Sequence, residues 1–215
     1  MEDDEIKIAK GFDRDVDYIA MKNKLIKSYE DLHDSIESIN ENDTKYITKR
    51  RNMIRKLMYI TIAIIQLRSG SRIIESVKAF KLFLKNNNFD KDVIVKLAKS
   101  ETTKYDDNGD AYKTKPRYRS MKFPTKWIKP YYVDDMKFYG NDIINYKFKK
   151  GVLDYLLRNH ECNTHSLRYA YINYMLYTKK VEIGLVCKIV GHSNPNQIVR
   201  YTQNKNAKQV FDEDI

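Results

Sequence analysis

The stretch Thr164-His165-Ser166-Leu167-Arg168-Tyr169-Ala170-Tyr171-Ile172-Asn173 decides how the rest of this chain is read. A histidine and an arginine three residues apart project from one face of a helix toward a common partner. Working downstream, Val190-Gly191-His192 comes 24 residues after Arg168, at the end of the apolar run Gly184-Leu185-Val186-Cys187-Lys188-Ile189-Val190. Tyr201 follows nine residues after His192. Far upstream, Ser69-Gly70-Ser71-Arg72-Ile73-Ile74-Glu75 breaks one helix and opens another. Its Arg-x-x-Glu spacing lets the Glu75 carboxylate orient the Arg72 guanidinium.

Around these landmarks the period is mostly helical. Val16, Ile19, Met21, Leu25, Ile26, Tyr29, Leu32 and Ile36 predict a helix from Asp15 to about Ile39. Asp43-Thr44 can cap a second helix to about Leu67, and Arg72 opens a third to about Leu84. Val93 to Leu97 and Tyr112 to Phe123 read as strands, with Asp106-Asp107-Asn108-Gly109-Asp110 as the turn between them. Pro116 weakens the second strand or places it on an edge. Pro124 and Pro130-Tyr131-Tyr132 form a loop leading to a helix from about Asn141 to Arg158. Further helices are expected at 164–178, 181–190 and 195–203. The fold expected is mainly α with a small antiparallel β-sheet. Residues 1–43 form an acidic N-terminal arm or helix, 44–203 the main domain and 204–215 a tail.

Charge is unevenly spread. Residues 1–43 hold 13 acidic and 6 basic side chains, and the remainder holds 34 basic and 16 acidic, within a total of +11. A basic body of that size is the electrostatic footprint of a phosphate-backbone binder; its ordinary reading is a solvated lysine-rich surface. No apolar run approaches the eighteen or so residues of a membrane span. Cys162 and Cys187 match neither a zinc spacing nor a disulfide framework, which points to a reducing intracellular compartment. No metal site is expected.

Breaking a phosphodiester without a metal requires a nucleophile, donors for the phosphorane oxygens and an acid for the leaving oxygen. Tyr201 can be the nucleophile once a positive field favours its oxyanion. Arg72 and Arg168 can present forked donors to the non-bridging oxygens. His165 and His192 can add hydrogen bonds to the phosphate or manage a proton. Each residue alone has a plainer reading: Arg72 and Glu75 as a surface ion pair, His165 and Arg168 as a solvated helix start, Gly191-His192 as a helix stop. Tyr201 is one of 17 tyrosines, and His33 and His160 are expected at the surface. The order and spacing of the set carry the sharper reading.

In that order and spacing, residues 45–203 resemble the catalytic domain of the tyrosine recombinases and phage-type integrases. The resemblance implies a DNA breaking-rejoining fold with an Arg-x-x-Glu box (Arg72, Glu75), a strand-turn lysine, a His-x-x-Arg box (His165, Arg168), a Gly-His and a tyrosine nucleophile (Tyr201). It implies a 3′-phosphotyrosyl intermediate and a free 5′-hydroxyl, with no cofactor, metal or ATP. The lysine that protonates the leaving oxygen falls on Lys99, with Lys104 and Lys113 flanking the same hairpin. Double-stranded DNA is the implied partner, bound by a homo-oligomer (dimer or tetramer) with or without an accessory DNA-binding protein.

Contacts to phosphates are expected from Lys49, Arg50, Arg51 and Arg55, from Lys104 and Lys113, and from Arg117 and Arg119. The family's separate core-binding domain of about ninety residues has no counterpart in the acidic forty at the start. Two relatives share the chemistry: the type IB topoisomerases, whose equivalent of His165 is usually lysine, and the telomere resolvases. The alternative from another class is a catalytically silent DNA-binding protein on the same fold.

Overall fold

In a computed structural model the described residues are 16–42, 44–98, 100–101, 103–143, 146–192 and 198. Helix α1 (Tyr18–Glu37) starts where the Asp17 carboxylate accepts the Ala20 N–H at 2.6 Å. Met21, Leu25, Tyr29 and Ile36 recur along one face and are buried, so this helix is part of the same core as the next. Helix α2 (Tyr46–Ser69) is the axle of the molecule: nearly every side chain from Leu57 to Leu67 is buried, and α1 and the later helices pack around it. Its N-cap position is Lys45, with no side-chain capping bond, so Thr44 does not cap it; Asp43 lies outside the described residues.

Gly70, at φ +60°, ends α2, and α3 (Ile73–Asn86) departs at 114° with Arg72 as its N-cap. The expected hairpin is present but divided. Strand β1 (Val93–Lys96) pairs with β4 (Tyr118–Met121), and β2 (Thr103–Tyr105) pairs with β3 (Ala111–Lys113). Between the Lys96↔Tyr118 and Thr103↔Lys113 pairs, six residues (97–102) face four (114–117). Leu97 still donates its N–H to the Arg117 carbonyl at 2.8 Å, and beyond it the two-residue difference in length, with Pro116 unable to donate, separates the two ladders.

Helix α4 (Val133–Ile143) begins well before the expected start at Asn141. Tyr132 at φ +52° turns the chain, and Asp134 and Asp135 favour the new N-terminus electrostatically. Helix α5 (Tyr146–His160) leads to α6 (Thr164–Asn173), capped by Asn163, whose side-chain oxygen accepts the Ser166 N–H at 2.9 Å. A π-helical turn (Tyr174–Thr178) closes that segment, and α7 (Ile183–Val190) stops at Gly191. Of the expected helix at 195–203 only Ile198, helical and buried, is described.

His160 is 3% exposed, against its expected surface position, because it follows Val152 and Leu156 at four-residue intervals on the inward face of α5. His33 packs against Tyr131, the ring centroids 4.0 Å apart and the planes tilted by 41°. Both cysteines are buried and free. Among the described residues no single helix is long and apolar enough to cross a membrane.

Candidate active site

The turn between α2 and α3 is where the separated motifs meet. Gln66, one turn before the end of α2, donates through Nε2 to the carbonyls of Ser71 (3.1 Å) and Thr164 (2.8 Å), binding the turn to the start of α6. Tyr171 of α6 packs so closely on Gly70 that an added Cβ would lie 2.2 Å from its ring. Arg168, 3% exposed, then spans the gap: Nη1 donates to the Gly70 carbonyl at 2.6 Å and Nη2 to the Val190 carbonyl at 2.9 Å. One buried guanidinium thus ties the residue two before Arg72 to the residue two before His192.

A second knot lies beside the first. Glu75 is 0% exposed. Its Oε2 accepts the Arg72 backbone N–H at 3.1 Å, and its Oε1 accepts the Ala98 N–H at 2.9 Å. Arg72 Nη1 lies 3.3 Å from both Glu75 Oε1 and the Ala98 carbonyl. The Ala98 backbone is therefore held at both its N–H and its carbonyl. Leu97, just before it, fills the space where a Cβ on Gly191 would fall (2.9 Å), and Gly191 itself sits at φ +73°. Any side chain at Gly191 would push Leu97 and strain the backbone. The segments bearing Arg72, Ala98, Arg168 and His192 are thereby held in one place.

His165 is exposed in the first turn of α6, its ring 6.1 Å from that of Tyr169. His192 is half-buried, and its N–H bonds to the Cys187 carbonyl at 2.9 Å. Lys99 and Tyr201 lie outside the described residues. Arg119 departs from the expected surface phosphate contact. Its side chain is 11% exposed, Nη2 donates to the Ser69 carbonyl at 2.6 Å, and Nη1 stands 3.7 Å from Glu75 Oε2. Burial pushes its guanidinium pKa down, opposed by the Glu75 charge. The missed signal was strand alternation: Arg119 shares a face with Met121 and Phe123, both in the core. Among the described residues no group of three or more His, Cys, Asp or Glu is placed to hold a metal ion.

The outlying cations divide by face. Lys49, Arg51, Lys104, Lys113 and Arg117 are exposed. Arg50 pairs with Asp135 of α4 at 2.6 Å and lies over the Tyr132 ring, which removes it from the open surface. Arg55 instead lines a cleft of about 490 Å³ between α2 and α5, with Lys56, Tyr59, Asp154, Tyr155 and Arg158. Tyr59 rests on Gly151 there, which lets the two helices close on each other.

No protein-family model matches the chain. Over 97% of its length it is 41% identical to "Putative integrase V10" of Sputnik virophage, covering 92% of that protein. It is 28% identical over 95% of its length to "Putative integrase ORF241" of Acidianus two-tailed virus, covering 69% of it. A third relative, 25% identical over 73% of both chains, is an uncharacterized protein of Methanocaldococcus jannaschii.

Proposed function

This chain belongs to the viral integrase family represented by V10 of Sputnik virophage, and from that membership we propose that it is a tyrosine-type DNA strand transferase. The observation carrying this reading is the Arg168 bridge, which gathers motifs about a hundred residues apart around the turn at Gly70 and Arg72. Tyr201 Oη attacks the scissile phosphorus and gives its proton to water; a P–Oη bond forms and the bond to the 5′-oxygen breaks. Lys99, next to the clamped Ala98 peptide, gives that oxygen its proton. The reverse step, attack by a 5′-hydroxyl on the phosphotyrosine, frees the phenol and rejoins DNA.

Arg72 is 23% exposed and fixed at its base, suited to a non-bridging oxygen where charge develops. The Arg168 charge, held by two carbonyls in a dry site, adds to the field at the same phosphorus. His165 and His192 supply further donors on either side. Away from the chemistry, the Arg55, Lys56 and Arg158 cleft binds flanking backbone, with Lys104, Lys113 and Arg117 on the hairpin. Arg55 lies roughly 20 Å from Ser69 along α2, at 1.5 Å per residue.

The test uses nicked suicide duplexes tiled across the DNA flanking the coding sequence. Wild type gives a covalent protein–DNA adduct, and Tyr201→Phe gives none. An adduct that persists in the Phe variant overturns the assignment.

A further inference from the structure

Two arginines converge on one wholly buried carboxylate, and only one of them belongs to the strand-transfer machinery. A buried carboxylate demands a nearby counter-charge. Were Arg72 the sole counter-ion of Glu75, the two would favour a close, two-pronged pair, and the guanidinium would turn away from the pocket. Instead Arg72 Nη1 keeps a single long contact of 3.3 Å to Glu75, and the side chain stays 23% exposed. Arg119 supplies the second charge, toward Glu75 Oε2, and is itself pinned to the Ser69 carbonyl. Glu75 in turn holds the Ala98 N–H, immediately before Lys99.

We propose that Arg119 is a positioning residue: by sharing Glu75 it leaves Arg72 open to phosphate and fixes the Ala98 peptide that carries Lys99. The inference rests on the strand-transfer reading for its catalytic meaning, though not for its geometry. Arg119 sits on β4, paired with β1, so the sheet sets the spacing between the α2–α3 turn and Ala98, which follows β1. Ser69, Glu75, Arg119 and Ala98 form one mechanical unit.

The geometry is tested without DNA, by amide hydrogen exchange of the 97–101 segment. In Arg119→Met the Ala98 amide exchanges about tenfold faster or more, as local opening becomes easier. Arg119→Lys, which keeps the charge and one of the two contacts, restores part of the protection, and Arg117→Met changes nothing. Wild-type protection in folded Arg119→Met overturns the proposal. Should Arg119→Met not fold, wild-type protection in Arg119→Lys does the same.

The catalytic meaning is tested on suicide duplexes whose scissile 5′-oxygen is replaced by sulfur, a leaving group that needs no proton. Arg119→Met cleaves the oxygen duplex about 100-fold more slowly at unchanged DNA affinity, the scale of a small misplacement of a catalytic group. Much of that defect disappears with sulfur. Equal defects on both duplexes overturn the link to Lys99. Failure of wild type to cleave either duplex counts against strand transfer itself and leaves the exchange result standing.

Discussion

The two ends of α2 handle positive charge in opposite ways. At its C-terminal end, the buried Arg168 and the largely covered Arg119 are bonded to backbone carbonyls, with Glu75 fully enclosed between Arg72 and Arg119. Roughly four to six turns earlier, Lys49, Arg51 and Lys56 stand in solvent, and Arg55 and Arg158 line an open cleft. Burying a charge is unfavourable unless each donor finds a partner, so it marks places where position matters. Exposed charge contributes a field and tolerates imprecision. Under the proposed strand transfer, the first end serves geometry at one phosphorus and the second holds a polymer.

The sharpest way to break this contrast is Arg168→Met. It strands the Gly70 and Val190 carbonyls, each losing a charged hydrogen bond worth about 1.5–3 kcal/mol. Urea denaturation should register a loss of several kcal/mol, and adduct formation should fall below detection. Near wild-type stability would mean that the bridge holds nothing together.

A smaller effect concerns His160, which belongs to neither end. Burial, aided by the Lys24 charge, pushes its imidazole down to about 4. The folded protein keeps it neutral, whereas the unfolded chain takes up a proton below about 6.5. Its contribution is therefore complete above that value and is lost as pH falls toward 4, by at most about 1.4 kcal/mol per pH unit. Replacing it with Gln should flatten that limb of a stability–pH curve; an unchanged slope would assign the acid sensitivity elsewhere.

At the open end, Arg55→Ala and Arg158→Ala should each lower the slope of log affinity against log salt by about 1, with stability nearly unaffected. A loss of cleavage at saturating DNA would blur the two regions. Arg50→Ala should do least: its half-exposed pair with Asp135 is worth at most about 1 kcal/mol, and DNA affinity should not move.

Much of this was legible in the residue pattern. Apolar period placed α1, α2 and α3, and Gly70 and Gly191 marked the stops on which the pocket depends. Pro116 announced a defect in the second strand, but the two extra residues opposite it are invisible to a period of two. The early start of α4 was hidden because Tyr131-Tyr132 reads as loop, and only the positive φ of Tyr132 shows how the chain turns there. Arg119 was misplaced by reading its charge without the alternation of its strand. His160 was misplaced by reading its type without the inward face of the last turn of α5. Convergence of Arg72, Arg168 and His192 could be expected from order and spacing; that a buried arginine and a buried glutamate do the gathering, with the Ala98 backbone between them, could not.

The central claim is that Arg72 faces the charge on one DNA phosphorus. Its most direct test is Arg72→Ala on a suicide duplex bearing a methylphosphonate at the scissile position, where the negative oxygen is gone. Rescue of adduct formation on that duplex, against near-silence on the ordinary phosphodiester, is the expected result. Equal loss on both duplexes, with wild type active, would contradict it.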